Sequence, residues 1–202
     1  MTEIEAQEWL ATEFGAPVVE RLGRLAAAIV LENAQQNLIS PSTVGTIWAR
    51  HIVDSAQLVS LAPAEGRWMD IGSGAGLPGL VVAILRPAPI LLVEPRRQRA
   101  EFLHSIVDLL GLNHAEVRQQ KVEHQREVVD VISARAVATV EKLLQAAAAC
   151  ATPATRWLLP RGRSGLTELA ALKRRWAGVF HMKQSTTDPD SAILILDGPA
   201  RR

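Results

Sequence analysis

At 202 residues, with 48% hydrophobic and 21% charged side chains, the chain carries enough apolar material for one folded domain and is not a disordered polymer. A net charge of +1 lacks the overall basic excess of a dedicated nucleic-acid binder, and the single cysteine, Cys150, excludes a disulfide framework and a cysteine-rich zinc site. No apolar run reaches the ~20 residues that span a bilayer, and the acidic start Met1-Thr-Glu-Ile-Glu-Ala-Gln-Glu8 is the reverse of a secretory signal. A cytosolic protein without membrane attachment or metal is therefore expected, and a monomer is the expected state.

In chain order, the first 60 residues read as helices. Val18, Leu22, Leu25, Ile29 and Val30 recur at three- and four-residue spacing. After Asn37-Leu-Ile-Ser-Pro41, Ser42 or Thr43 can cap a further helix carrying Val44, Ile47, Trp48, Ile52 and Leu58. The pattern then changes. Arg67–Ile71, Ile90–Glu94, Val128–Ser133 and Arg156–Leu159 are short apolar runs, as in strands buried on both faces. Helical stretches are predicted over Pro78–Leu85, Arg96–Leu110, Thr139–Ala149 and Ser164–Trp176. Such alternation predicts an α/β fold with a mostly parallel, doubly wound sheet. Gly178–Lys183 and Ala192–Leu196 are joined by so short a turn that they must run antiparallel. A parallel sheet finished by an antiparallel hairpin is the Rossmann-like layout of class I methyltransferases rather than that of a typical dehydrogenase. The expected organisation is an N-terminal helical cap over 1–62 and a cofactor-binding domain over 63–202, forming one compact unit.

Asp70 ends the first predicted strand, and Gly72, Gly74, Gly76 and Gly79 follow before a helix opened by Pro78. Strand, glycine loop and helix in this order form a site for a nucleotide-like ligand at the carboxyl end of the sheet. Gly74-Ala-Gly-Leu-Pro-Gly79 also matches the dinucleotide fingerprint G-x-G-x-x-G. Electrostatics favours a different ligand. A pyrophosphate would face the Asp70 carboxylate, whereas S-adenosylmethionine brings an ammonium and a sulfonium that a carboxylate attracts. Glu94, ending the next strand, suits the ribose hydroxyls of either. A dinucleotide, or a glycine turn with no ligand, stays open on these residues alone.

More specific are Asn37-Leu38, Trp48-Ala-Arg-His-Ile-Val-Asp-Ser55, the loop from Asp70 to Gly79, Glu94-Pro95 with Phe102-Leu103, Val122-Glu123, and Ser133-Ala-Arg-Ala136. In order, over about Asn37 to Gly162, these resemble the bacterial small-subunit rRNA guanine-N7 methyltransferases (the RsmG family, formerly GidB). The resemblance implies methylation of guanine N7 in the decoding-region loop of 16S rRNA, with free rRNA or a small-subunit particle as partner. It also implies cofactor contacts at Gly72, Leu77, Val122, Glu123 and Arg135. Where many members carry Lys-Gly after the fifth strand, this chain has Arg161-Gly162; an arginine fork does not reproduce a lysine's point contact.

Guanine N7 has an in-plane lone pair and needs no deprotonation, so positioning and charge stabilisation are the main demands. In keeping with this, Asp188-Pro189-Asp190 reads as a turn and not as an amine-methylation motif, and Cys150 in its alanine-rich helix reads as packing. The expected assignment gives Asp70 and Gly72, Gly74 and Gly76 the amino-acid part of S-adenosylmethionine, Glu94 its ribose, and Val122 and Glu123 its adenine. Arg50, His51, Arg135 and Arg161 approach the guanine and its phosphates. Blander readings stand beside these: a packed His51, an Arg50–Asp54 surface pair, and solvated arginines at Arg96, Arg97 and Arg99, with Arg97 paired to Glu101. A methyltransferase of another substrate and a non-catalytic dinucleotide-binding module are the competing functions.

Overall fold

The computed structural model describes residues 1–163 and 165–201. Two helices open the chain, α1 (Glu3–Phe14) and α2 (Ala16–Gln36). Thr2 and Glu5 form a reciprocal capping box that starts α1, and Asn37, in the left-handed conformation, ends α2. The single helix expected after Pro41 is instead a chain of short turns: a 3-10 turn (Pro41–Thr46), a wide π turn (Trp48–Val53) and α3 (Asp54–Ala56). The start of the wide turn has amides to satisfy, and a distant residue accepts them. The two Glu3 carboxylate oxygens each take one N–H, from Trp48 and Ala49, at 3.0 Å.

From here the alternation is as read. The strands are β1 (Trp68–Ile71), β2 (Ile90–Val93), β3 (Ala115–Arg118), β4 (Val131–Ser133) and β5 (Arg156–Arg161). The helices between and after them are α4 (Gly79–Leu85), α5 (Arg97–Leu110), α6 (Val140–Ala146) and α7 (Gly165–Arg175). Ser164, the expected start of the last helix, lies outside the described residues. The chain finishes in β6 (Trp176–Gln184) and β7 (Ala192–Arg201). Strand β3 escaped the sequence reading because Ala-Glu-Val-Arg is an edge strand, with none of its residues buried.

The sheet order is β3-β2-β1-β4-β5-β7-β6, parallel through β5 and antiparallel at both β7 pairings. Successive strand residues face opposite layers. Trp68, Leu92, Val131 and Leu158 join a core beneath α1, α2, α4 and α5, while Met69, Leu91, Ile132 and Trp157 join another beneath α6 and α7. The first core also takes in Leu10, Leu22, Leu25, Ile52 and Leu58, so the N-terminal helices share the sheet's packing. The strand order reverses between β1 and β4, which opens a crevice at their carboxyl ends.

Candidate active site

The loop after β1 turns sharply over the end of β2. Gly72 and Ser73 donate to the Val93 carbonyl at 2.7 and 3.3 Å, and Gly76 donates to Ser73 at 2.7 Å. Gly72 has φ +67°, and a Cβ there would sit 2.6 Å from Val137 Cγ2; at Gly76, φ is +79° and a Cβ would run into Leu80 Cδ1 at 2.2 Å. At neither place can a side chain sit without backbone strain and a displaced neighbour.

Asp70 corrects the sequence reading. Its side chain is fully buried beneath the loop and is not offered to a ligand. Ser133 Oγ donates to it at 2.6 Å and the Gly79 N–H at 3.1 Å, and Ser133 in turn accepts from Trp68 Nε1 at 2.9 Å. Burial pushes the Asp70 carboxyl up to about 6 against these hydrogen bonds. Asp70 therefore ties β1 to β4 and to the start of α4, and a ligand feels its charge only through the loop. Gly76 is also inside, beneath Leu80, whereas Gly72, Gly74 and Leu77 line an open groove of about 440 Å³.

Glu94 stands in that groove. The Gly74 N–H donates to Oε2 at 3.0 Å and the Arg96 N–H to Oε1 at 2.8 Å, so each oxygen keeps a lone pair for a further donor. Arg96 and Arg99 line the same groove, while Arg97 pairs with Glu101 at 2.7 Å on the surface. A mostly apolar hollow of about 570 Å³, lined by Val93, Pro95, Val122, Glu123 and Leu143, adjoins it, the two meeting at Gly72, Pro95 and Val137.

A third cavity, of about 730 Å³, brings together Arg50, His51, Arg135 and Arg161 from three separate stretches of chain. Arg135 donates to His51 Nδ1 at 2.9 Å and to the Arg50 carbonyl at 3.4 Å. Burial lowers its pKa, partly countered by Asp54 and Asp70. His51 Nε2 lies 2.8 Å from Thr43 Oγ1. Burial first, then the charges of Arg135 and Arg50, hold its imidazole down at about 3, so the ring is neutral at physiological pH.

Arg161 differs from expectation. Only 9% exposed, it spends its guanidinium on the carbonyls of Ala134, Pro160 and Ala138 at 3.4, 3.0 and 3.2 Å, with Glu168 3.5 Å from Nε. Burial lowers its pKa against the pull of Glu168. It fastens the segment after β4 and has little left for a phosphate.

Arg50 and Asp54 do not pair with each other. Arg50 binds Asp188, whose carboxyl it draws down to about 2, and Asp54 accepts from Gln57, Ser185 and Thr187. The β6–β7 turn is thereby docked onto the N-terminal segment. Sequence reasoning took that turn for a simple connection, and saw Thr43 only as a cap. Partners 138 residues apart leave no local signal.

The groove and the hollow beside it have the chemistry of a nucleoside site. A carboxylate with spare acceptor capacity, a glycine-walled bend and an adjoining apolar hollow match a ribose, an amino-acid arm and an adenine. These features, with the strand order, make the chain a class I methyltransferase that uses S-adenosylmethionine. Solved structures of the same fold include a predicted O-methyltransferase from Agrobacterium tumefaciens (TM-score 0.59, 21% identity, 75% of this chain and 82% of that one). Another is a tRNA methyltransferase from B. subtilis (TM-score 0.55, 20% identity, 74% and 65%). The family model for rRNA small subunit methyltransferase G, GidB, matches residues 18–189, and the chain belongs to that family. A ribosomal RNA small subunit methyltransferase G of Sphingopyxis alaskensis is 48% identical over 97% of this chain and 86% of its own length. One of Erythrobacter litoralis is 46% identical over 99% and 98%.

Proposed function

We propose that this enzyme transfers a methyl group from S-adenosylmethionine to N7 of a guanine in the decoding-region loop of 16S rRNA, presented as rRNA or within a small-subunit particle. One observation carries the reading: Arg135, Ala136 and Val137 line both the glycine-loop groove and the larger cavity. A cofactor in one and a base in the other meet across that short wall. Membership of the family supports the choice of target and a cytosolic setting.

The bound cofactor supplies an electrophilic methyl group on a positively charged sulfur. Glu94 accepts the ribose hydroxyls, Val122 and Pro95 flank the adenine with Glu123 at its edge, and Gly72, Gly74 and Leu77 wall in the amino-acid arm. Asp70 and Gly76 shape the loop from below. Because N7 attacks with its own lone pair, the residues facing the base position it and manage charge. Arg50, at the mouth of the large cavity, meets RNA phosphate, Arg135 stands where base and cofactor approach, and Arg161 keeps the dividing segment in place.

The test is transfer of labelled methyl from S-adenosylmethionine to small-subunit particles from a strain lacking the enzyme, with the site mapped by cleavage at N7-methylguanine. Incorporation at one guanine of that loop is expected. Transfer to a protein or small molecule with none to ribosomal particles would overturn the assignment, and binding of NAD in place of S-adenosylhomocysteine would overturn the cofactor.

A further inference from the structure

Where the Arg135 guanidinium points decides what a base meets at the wall between the two cavities. Among the described residues two hydrogen bonds aim it: a long one to the Arg50 carbonyl at 3.4 Å, and a short one to His51 Nδ1 at 2.9 Å. A guanidinium can only donate, so Nδ1 must be the bare, accepting nitrogen. A neutral ring then carries its one hydrogen on Nε2, 2.8 Å from Thr43 Oγ1, which accepts it. The Thr43 hydroxyl hydrogen is free to go on to the Ser40 carbonyl, 2.9 Å away. Every donor in this row points the same way, from Arg135 through His51 and Thr43 to the backbone of Ser40. The groups facing His51 agree with a neutral ring: two guanidiniums, Arg135 and Arg50, and one hydroxyl, while Ser55 Oγ donates to its carbonyl at 2.7 Å.

We propose that Thr43 and His51 are positioning residues which, through this one-directional row of hydrogen bonds, hold Arg135 at the boundary between cofactor groove and base cavity. His51 serves as a fixed acceptor and moves no proton. The idea deepens the proposed function and rests on it for its kinetic readout; the tautomer itself is independent of substrate.

Two measurements test it together. In ¹⁵N spectra of the wild-type imidazoles, His51 should show a pyridine-type Nδ1 and a pyrrole-type Nε2, unchanged between about pH 5 and pH 8. Thr43→Val, which removes the acceptor, should lower turnover at saturating cofactor and particle by ~10-fold with the KM for S-adenosylmethionine moved less than ~3-fold, and Thr43→Ser should restore it to within ~3-fold. A hydrogen on Nδ1, or a His51 titration near its ordinary midpoint, overturns the proposal; so does Thr43→Val turning over like wild type, or Thr43→Ser failing equally. If Thr43→Val does not fold, the wild-type spectrum still decides. Absence of methyl transfer by the wild type sinks the proposed function and leaves the spectrum to judge the hydrogen-bonded row.

Discussion

Replacing Arg161 by methionine keeps an unbranched apolar stem that ends about where Nε stood, and removes every donor. Three carbonyls, of Ala134, Pro160 and Ala138, lose the guanidinium, and Glu168 loses the cation 3.5 Å away. A hydrogen bond to a charged donor contributes about 1.5–3 kcal/mol at good geometry, and these are long. Against the loss stands the desolvation of a nearly buried guanidinium, which methionine is spared. The balance is a destabilisation of about 2–4 kcal/mol, or roughly 4–16 °C in Tm at 2–4 °C per kcal/mol for a chain of this size. Two of the carbonyls flank the segment that divides the cavities, so affinity for S-adenosylhomocysteine should fall as well, by about 10-fold. Urea denaturation and calorimetric titration measure the two effects. Arg161→Lys should recover only part of the stability, because one ammonium cannot reach three carbonyls. A methionine variant within about 0.5 kcal/mol of wild type, binding the ligand equally well, would refute the role assigned to Arg161.

Gly72→Ala should cost about 1–2 kcal/mol in backbone strain alone and more from the contact with Val137, read as a lower urea midpoint together with weaker S-adenosylhomocysteine binding. Glu94→Ala strips two loop amides of their acceptor and the ribose of its partner; it should weaken binding of both S-adenosylhomocysteine and 5′-methylthioadenosine by about 10- to 100-fold, and a loss confined to the former would contradict the ribose assignment. For Asp70, burial raises the folded-state pKa, so its contribution to stability is fully present below the unfolded value near 4 and is lost as pH rises through about 6. A ¹³C titration of its carboxyl should have a midpoint near 6, and a midpoint near 4 would show that the group is not sealed under the loop.

Much of this architecture is legible in the chain because a parallel sheet buried on both faces writes itself as uninterrupted apolar runs, and β1, β2, β4 and β5 do so. The rest depends on partners too distant for local pattern. The wide turn at Trp48–Val53 follows from a carboxylate at Glu3, and Arg50 and Asp54, i,i+4 neighbours on paper, each turn to the β6–β7 turn instead. Arg50, His51 and Arg135 were expected near one another and share one cavity. Asp70 misled because its place at a strand end says nothing about which way its carboxylate faces; Ser133 and Gly79 already hold it. Arg161 misled likewise, since the carbonyls it meets belong to a loop whose path the sequence does not announce.

The most direct measurement is a crystal structure with S-adenosylhomocysteine. The ligand should run from Gly72 past Glu94 into the hollow beside Val122, its sulfur against the wall formed by Arg135, Ala136 and Val137 and facing the large cavity. A ligand bound elsewhere, or one whose sulfur is shut off from that cavity, would contradict the shared wall on which the proposed methyl transfer depends.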